Sequence, residues 1–99
     1  MRVTLSPDTE RDLIEIAAFI GADSPRRSMS FIDELQTLCA SLATKPLRFA
    51  IIAERQSVSV RRAIQGRYSV FYVARPDEVY VLRILNSARD HEKLLFPSD

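Results

Sequence analysis

The sequence predicts an α+β fold in which an antiparallel helical hairpin packs on a predominantly antiparallel sheet, in the order β-α-α-β-β-β. Three observations carry this. Two serine-proline pairs, Ser6-Pro7 and Ser24-Pro25, each precede an apolar stripe at helical spacing. Residues 58–85 read as three β-rich runs. Gly66 and Pro76 punctuate those runs at the places where tight turns are needed.

Val3-Thr4-Leu5 is a short strand cut off by Ser6-Pro7. A serine N-cap, a proline at the first helical position and Asp8 and Glu10 facing the positive end of the dipole open the first helix. Leu13, Ile16, Ala17 and Ile20 give it one apolar stripe, and Gly21 is expected to stop it from a C′ position, so it runs from about 7 to 20. Ser24-Pro25 opens the second helix. Its stripe is Ser28, Phe31, Ile32, Leu35, Leu38, Cys39 and Leu42, and Pro46 ends it at or before Lys45. The short connection through Ala22-Asp23 makes the pair an antiparallel hairpin with one face of each helix left to cover.

A looser stretch from Leu47 to Ser57 leads to a strand over 58–64, the turn Gln65-Gly66, and a second strand over 68–73. Arg75-Pro76-Asp77 turns the chain into a third strand over 78–85, and 90–96 adds a last helical turn closed by Pro97. Alternation along the third strand puts Tyr80, Leu82, Ile84 and Asn86 under the helices. Arg83 then falls with Val79, Val81 and Leu85 on a face suited to a partner. Where the first strand joins the sheet is not set by this pattern.

At 99 residues, with 46% apolar and 27% charged side chains, residues 1–99 are expected to form one domain on a single core. No apolar run approaches the roughly 20 residues of a membrane span. The opening MRVTLSPDTERDL lacks an apolar signal region, so a cytoplasmic setting is expected. Cys39 and His91 are the only residues of their types, which removes internal disulfides and zinc sites built from several Cys or His ligands. The sequence points to no metal and no cofactor. Ser87, Asp90 and His91 are crowded into one segment without a GxSxG elbow, a poor basis for a triad.

Net charge is +1, unevenly spread: residues 1–44 carry −3 and residues 45–99 carry +4. Most cations of the second half are arginines, which suits planar recognition of carboxylate or phosphate. The two halves complementing each other is the competing reading.

In order and spacing, several strings resemble the ParE/RelE superfamily of toxins from bacterial type II toxin-antitoxin modules, and more closely its ParE branch. They are Leu5-Ser6-Pro7 with Asp12-Leu13-Ile16, Phe31 with Leu38-Cys39-Leu42-Ala43-Pro46, and Arg61. Further on come Gly66-Arg67-Tyr68 with Phe71-Tyr72, and Leu82-Arg83-Ile84-Leu85 followed by Ala88-Arg89-Asp90. The resemblance implies a cytoplasmic toxin of a plasmid- or chromosome-stabilising module, neutralised by a cognate antitoxin in a hetero-oligomeric complex. The antitoxin would lay apolar side chains across the helical hairpin. It further implies either inhibition of DNA gyrase, as for ParE-like toxins, or ribosome-dependent mRNA cleavage, as for RelE-like ones. A non-toxic, antitoxin-bound superfamily member is a third possibility.

The residues favour the gyrase inhibitor. RNA cleavage needs a base for the 2′-hydroxyl and an acid for the leaving oxygen. Arg61, Arg67 and Arg83 can clamp phosphate, but arginine stays protonated and is a poor base. Asn86 stands where related sequences place histidine, and His91 reads as a surface residue. Tyr72 and Tyr80 read as core packing with wet hydroxyls. A net charge of +1 gives little salt-dependent attraction to RNA and leaves direct nucleic-acid binding open. Arg61, Arg67, Arg83, Arg89 and Tyr72 are the candidate residues for meeting target or antitoxin. As structural alternatives, Arg61 and Arg62 could be edge-strand charges, and Arg89 could pair with Asp90.

Overall fold

The computed structural model describes residues 1–89 and 91–96. The chain runs β1 (Arg2–Leu5), α1 (Pro7–Gly21), α2 (Pro25–Ser41), β2 (Ile51–Arg55), β3 (Val58–Gln65), β4 (Tyr68–Ala74), β5 (Glu78–Asn86) and α3 (His91–Leu95). Both helix starts are capped as the sequence predicts. Ser6 Oγ accepts from Thr9 N at 3.0 Å and Ser24 Oγ from Arg27 N at 3.1 Å. Gly21 differs from expectation: it is the last helical residue with no left-handed φ, and Ala22 caps the helix in the right-handed region. Amides of Ala22 and Asp23 satisfy the carbonyls of Ala18 and Ile20, so no left-handed stop is needed.

The sheet has five strands in the order β1-β5-β4-β3-β2. β1 pairs parallel with β5, and every other pair is antiparallel. Glu78 ties β1 to β5 by accepting from Thr4 Oγ1 at 2.7 Å. That hydroxyl, with Arg75 and Arg2, holds its carboxyl below the usual range. β2 lies inside the stretch read as loose. The β2–β3 connection is a two-residue turn with Gln56 at φ 51° and Ser57 at φ 67°, the type I′ pattern that hairpins favour but that usually recruits Asn-Gly. Gly66, at φ 59°, makes the next turn as expected, with Phe31 Cε1 3.4 Å from where a Cβ would stand.

Helices α1 and α2 cover one face of the sheet. Ile16, Phe31, Leu35, Cys39 and Leu42 meet Ala63, Val70, Tyr72, Val79, Val81 and Ile84 there. Each such burial is worth about 1.5 to 3 kcal/mol for a large aliphatic or aromatic side chain. On the other face Val60, Phe71 and Leu85 form a second cluster under Leu94, Leu95 and Phe96. The alternation expected along β5 holds at Ile84 and Leu85 but is overturned in the first half of the strand: Val79 and Val81, not Tyr80 and Leu82, face the helices. The cause is a bulge. Phe71 pairs with Arg83 but Tyr72 pairs with Val81, so Leu82 is an extra residue and the period-2 pattern slips past it.

β3 is an inner strand because β2 covers it, so Arg61 and Arg62 are not edge charges. α3 supplies the last helical turn expected from the sequence. The parts of that expectation that fall on Asp90 and Pro97 lie outside the described residues.

Candidate functional site

β1 ends at Leu5, opposite Val81, and leaves the edge of β5 open beyond that point. The first turns of α1 close it with side chains in place of a strand. Ser6 N donates to the Val81 carbonyl at 2.9 Å, Thr9 Oγ1 to the same carbonyl at 3.0 Å, and Ser6 Oγ to that of Leu82 at 2.8 Å. Asp12, one turn on, completes the series. Its Oδ2 accepts from Ile84 N at 3.0 Å and from Arg83 Nε at 2.8 Å, while Oδ1 accepts from Arg83 Nη2 at 2.8 Å. Ser6, Thr9 and Asp12 are all buried, an unusual set for the polar side chains of one helix. They survive burial because each polar atom has a partner.

Arg83 is therefore not a free cation on a partner-facing surface. Its guanidinium is bidentate on Asp12, its side chain is 21% exposed, and the Asp12 hydrogen bonds push it further above the ordinary arginine range. The carboxylates of Asp8 and Glu15 add to that field. Tyr72 is also internal: the ring is fully buried and its hydroxyl donates to the Pro46 carbonyl at 2.8 Å. Burial raises the Tyr72 phenol.

Arg61 is half-buried and donates through Nη1 to the carbonyls of Phe49 at 2.7 Å and Leu47 at 3.2 Å, fastening the segment ahead of β2. No carboxylate among the described residues neutralises it. Arg67 and Arg89 are exposed and likewise form no ion pair among those residues; Asp90, the partner suggested for Arg89, lies outside them. The two flank one end of the sheet. Arg67 sits in the β3–β4 turn with its carbonyl accepting from Ser87 N at 2.7 Å, and Arg89 N donates to the Asn86 carbonyl at 3.0 Å. Asn86 Oδ1 accepts from Ala88 N at 2.9 Å, a local turn bond. His91 is half-buried, stacked on Phe71 with ring centroids 5.0 Å apart. Tyr80 lies under the Arg75 guanidinium at 4.4 Å.

Of the five candidate residues, the structure thus brings Arg67 and Arg89 to one exposed end, places Arg61 at the far side of the sheet, and turns Arg83 and Tyr72 inward. It adds Asp12, which the sequence pattern named only within a longer string. Its signal was the i, i+3, i+6 spacing of Ser6, Thr9 and Asp12, a polar stripe beside the apolar one.

Among the described residues no helix is long and apolar enough to cross a membrane. No curated protein shows significant similarity to the chain. The fold is shared with a toxin-antitoxin structure described as the chromosomal ParDE system from P. aeruginosa, at a TM-score of 0.71 and 15% identity over 87% of this chain and 95% of that one. It is shared also with the toxin-antitoxin complex RelBE2 from Mycobacterium tuberculosis, at a TM-score of 0.60 and 21% identity over 89% of this chain and 92% of that one. The sequence profile of the family described as the ParE toxin of the type II toxin-antitoxin system, parDE, matches residues 3–91. With almost the whole described chain inside that match, the protein belongs to the ParE toxin family of type II toxin-antitoxin systems.

Proposed function

We propose that the protein is a toxin that inhibits DNA gyrase, and that a cognate antitoxin neutralises it in a hetero-oligomeric complex. The observation that carries the choice of gyrase over RNA cleavage is the end of β5. Arg83 is committed to Asp12, Tyr72 is buried, and Asn86 spends its side-chain oxygen on a turn bond. What this end offers outward is arginine, which binds anions and does not exchange protons near neutrality. Such an end suits recognition better than general acid-base chemistry. The antitoxin partner is supported by the fold shared with proteins solved as toxin-antitoxin assemblies.

In this reading Arg67 and Arg89 make direct contact and Arg83 fixes the strand behind them through Asp12, while Arg61 and Tyr72, paired across β3 and β4 away from that end, support the fold. Purified protein added to gyrase and relaxed plasmid should abolish supercoiling or accumulate cleaved complexes. The double substitution Arg67→Ala/Arg89→Ala should weaken that effect about tenfold, as expected for losing one or two charge-assisted contacts. Its folding stability should move by no more than about 0.5 kcal/mol, since both side chains are exposed. Undiminished supercoiling at excess toxin, together with cleavage of mRNA on programmed ribosomes, would replace this reading with the nuclease one.

A further inference from the structure

Where Arg89 emerges, α1 and the last residues of β5 enclose a pocket of about 410 Å³, within the roughly 300 to 1,000 Å³ of small-molecule sites. Two aromatic rings line it. Phe19 is 74% exposed and belongs to neither core cluster. Tyr68 is half-buried and held by its tilt on Phe31, with ring centroids 5.5 Å apart. Glu15, one turn before Phe19 on the same face of α1, brings an exposed carboxylate. The turn after β5 brings the exposed Arg89 guanidinium. Neither Glu15 nor Arg89 forms an ion pair among the described residues. Asp12 also borders the pocket, but its oxygens are taken by Arg83 and the Ile84 amide. The buried side chains of Ile16 and Ile84 form an apolar base.

An arginine and a glutamate left unpaired in one pocket suit a ligand that offers acceptors to the first and donors to the second. Two rings suit a flat one. A guanine base meets all three conditions. Its O6 and N7 accept from a guanidinium, its N1–H and N2 amino group donate to a carboxylate, and its face stacks on aromatic rings. Adenine does not, because it sets an amino group against the arginine and an unprotonated N1 against the glutamate. Phosphate alone is a poor match: with Asp12 paired to Arg83, the charges of Glu15 and Arg89 balance. We infer that this pocket binds a guanine base between Arg89 and Glu15, stacked on Phe19 and Tyr68. A free guanine nucleotide and an unpaired guanine in a strand present the same edges. Arg89 also belongs to the surface assigned above to the target, but this inference rests on the pocket alone.

The test titrates the whole protein with 5′-GMP, AMP and IMP and with the pentanucleotides TTGTT and TTATT, read by calorimetry and backbone amide shifts. GMP should bind and shift amides in 15–19, 68 and 84–89. AMP should bind about tenfold more weakly, and IMP, which lacks the N2 amino group, in between. Tighter binding of TTGTT than of GMP would assign the site to a strand, and the reverse to a free nucleotide. Glu15→Gln should weaken GMP about tenfold and leave AMP unchanged, whereas Phe19→Ala should weaken every purine alike and Phe19→Tyr restore them. Arg89→Gln should also cost GMP about tenfold. Arg26→Gln, on the exposed side of α2, should change nothing. Glu15, Phe19 and Arg89 are exposed, so the melting midpoints of these variants should stay with the parent. Equal affinity for GMP and AMP, a Glu15→Gln protein that keeps its full preference for guanine, shifts confined to other faces, or no binding of any probe at millimolar concentration would each overturn the inference. Because gyrase is absent from the assay, failure here leaves the gyrase reading to its own experiment.

Discussion

Asp12 receives three hydrogen bonds while only 5% exposed, and two of them come from a guanidinium that has little water of its own. Removing one partner of such a pair leaves the other charge uncompensated, which costs more than the pair itself contributes. Asp12→Ala should therefore destabilise the fold by about 3 kcal/mol in urea titration. Asp12→Asn, which can still accept from Ile84 N, should cost about half as much; equal, small losses for both would show the pair to be incidental. The arginine in the strand was conspicuous in the sequence, but its partner was not, because the contact joins residues 71 positions apart. Cys39 gives a second prediction at this scale. Burial pushes its thiol from 9.0 to about 11. Between those values the unfolded chain has released a proton that the folded chain keeps, so stability falls as pH rises from about 9 to about 11 and levels off above. The loss should be about 2 to 3 kcal/mol. Cys39→Ala, measured in the same pH series, should lack this component; parallel curves for the two proteins would refute it.

The β2–β3 hairpin is the element the sequence concealed. Its turn is of a type that favours Asn-Gly, yet Gln56 and Ser57 occupy it, each carrying a Cβ into the left-handed region. A bulge near Ile52 also breaks the alternation of β2. With neither a turn signal nor a period to read, residues 47–57 looked irregular. Replacing Gln56-Ser57 with Asn-Gly should relieve the strain and stabilise the protein by about 1 kcal/mol, seen as a raised denaturation midpoint at unchanged slope. An unchanged or lowered midpoint would mean that these side chains earn their place in the turn. The helix starts, by contrast, were legible to the residue, because cap, proline and stripe agree at each, whereas α2 stops at Ser41, ahead of the limit set by Pro46. β5 was legible as a strand but not in its facing. One inserted residue, Leu82, reverses which side chains before it a simple alternation sends inward, while Ile84 beyond it points as expected.

Across the molecule, the charge asymmetry resolves in two ways. Part of it is internal, since Arg83 of the basic half meets Asp12 of the acidic half. Part stays outward, in the exposed Arg67 and Arg89, and nothing in the spacing of the sequence separates these from the paired arginines. The two faces of the sheet also differ in their cover. The α1–α2 side is sealed by two long helices, whereas the other carries a five-residue helix with no fully buried residue of its own. Amides of α3 should exchange with solvent at least about a hundredfold faster than those of β4, and equal protection would show the two faces to be one cooperative unit. The parallel pairing of β1 with β5 reaches further than stability. Residues 2–5 pair with residues 78–81 and the polar stripe of α1 bonds to residues 81–84, so during synthesis the first strand and helix wait for β5. A chain interrupted before β5 lacks the surface on which its own beginning closes, and leaves the apolar side chains of β1 and α1 without that cover.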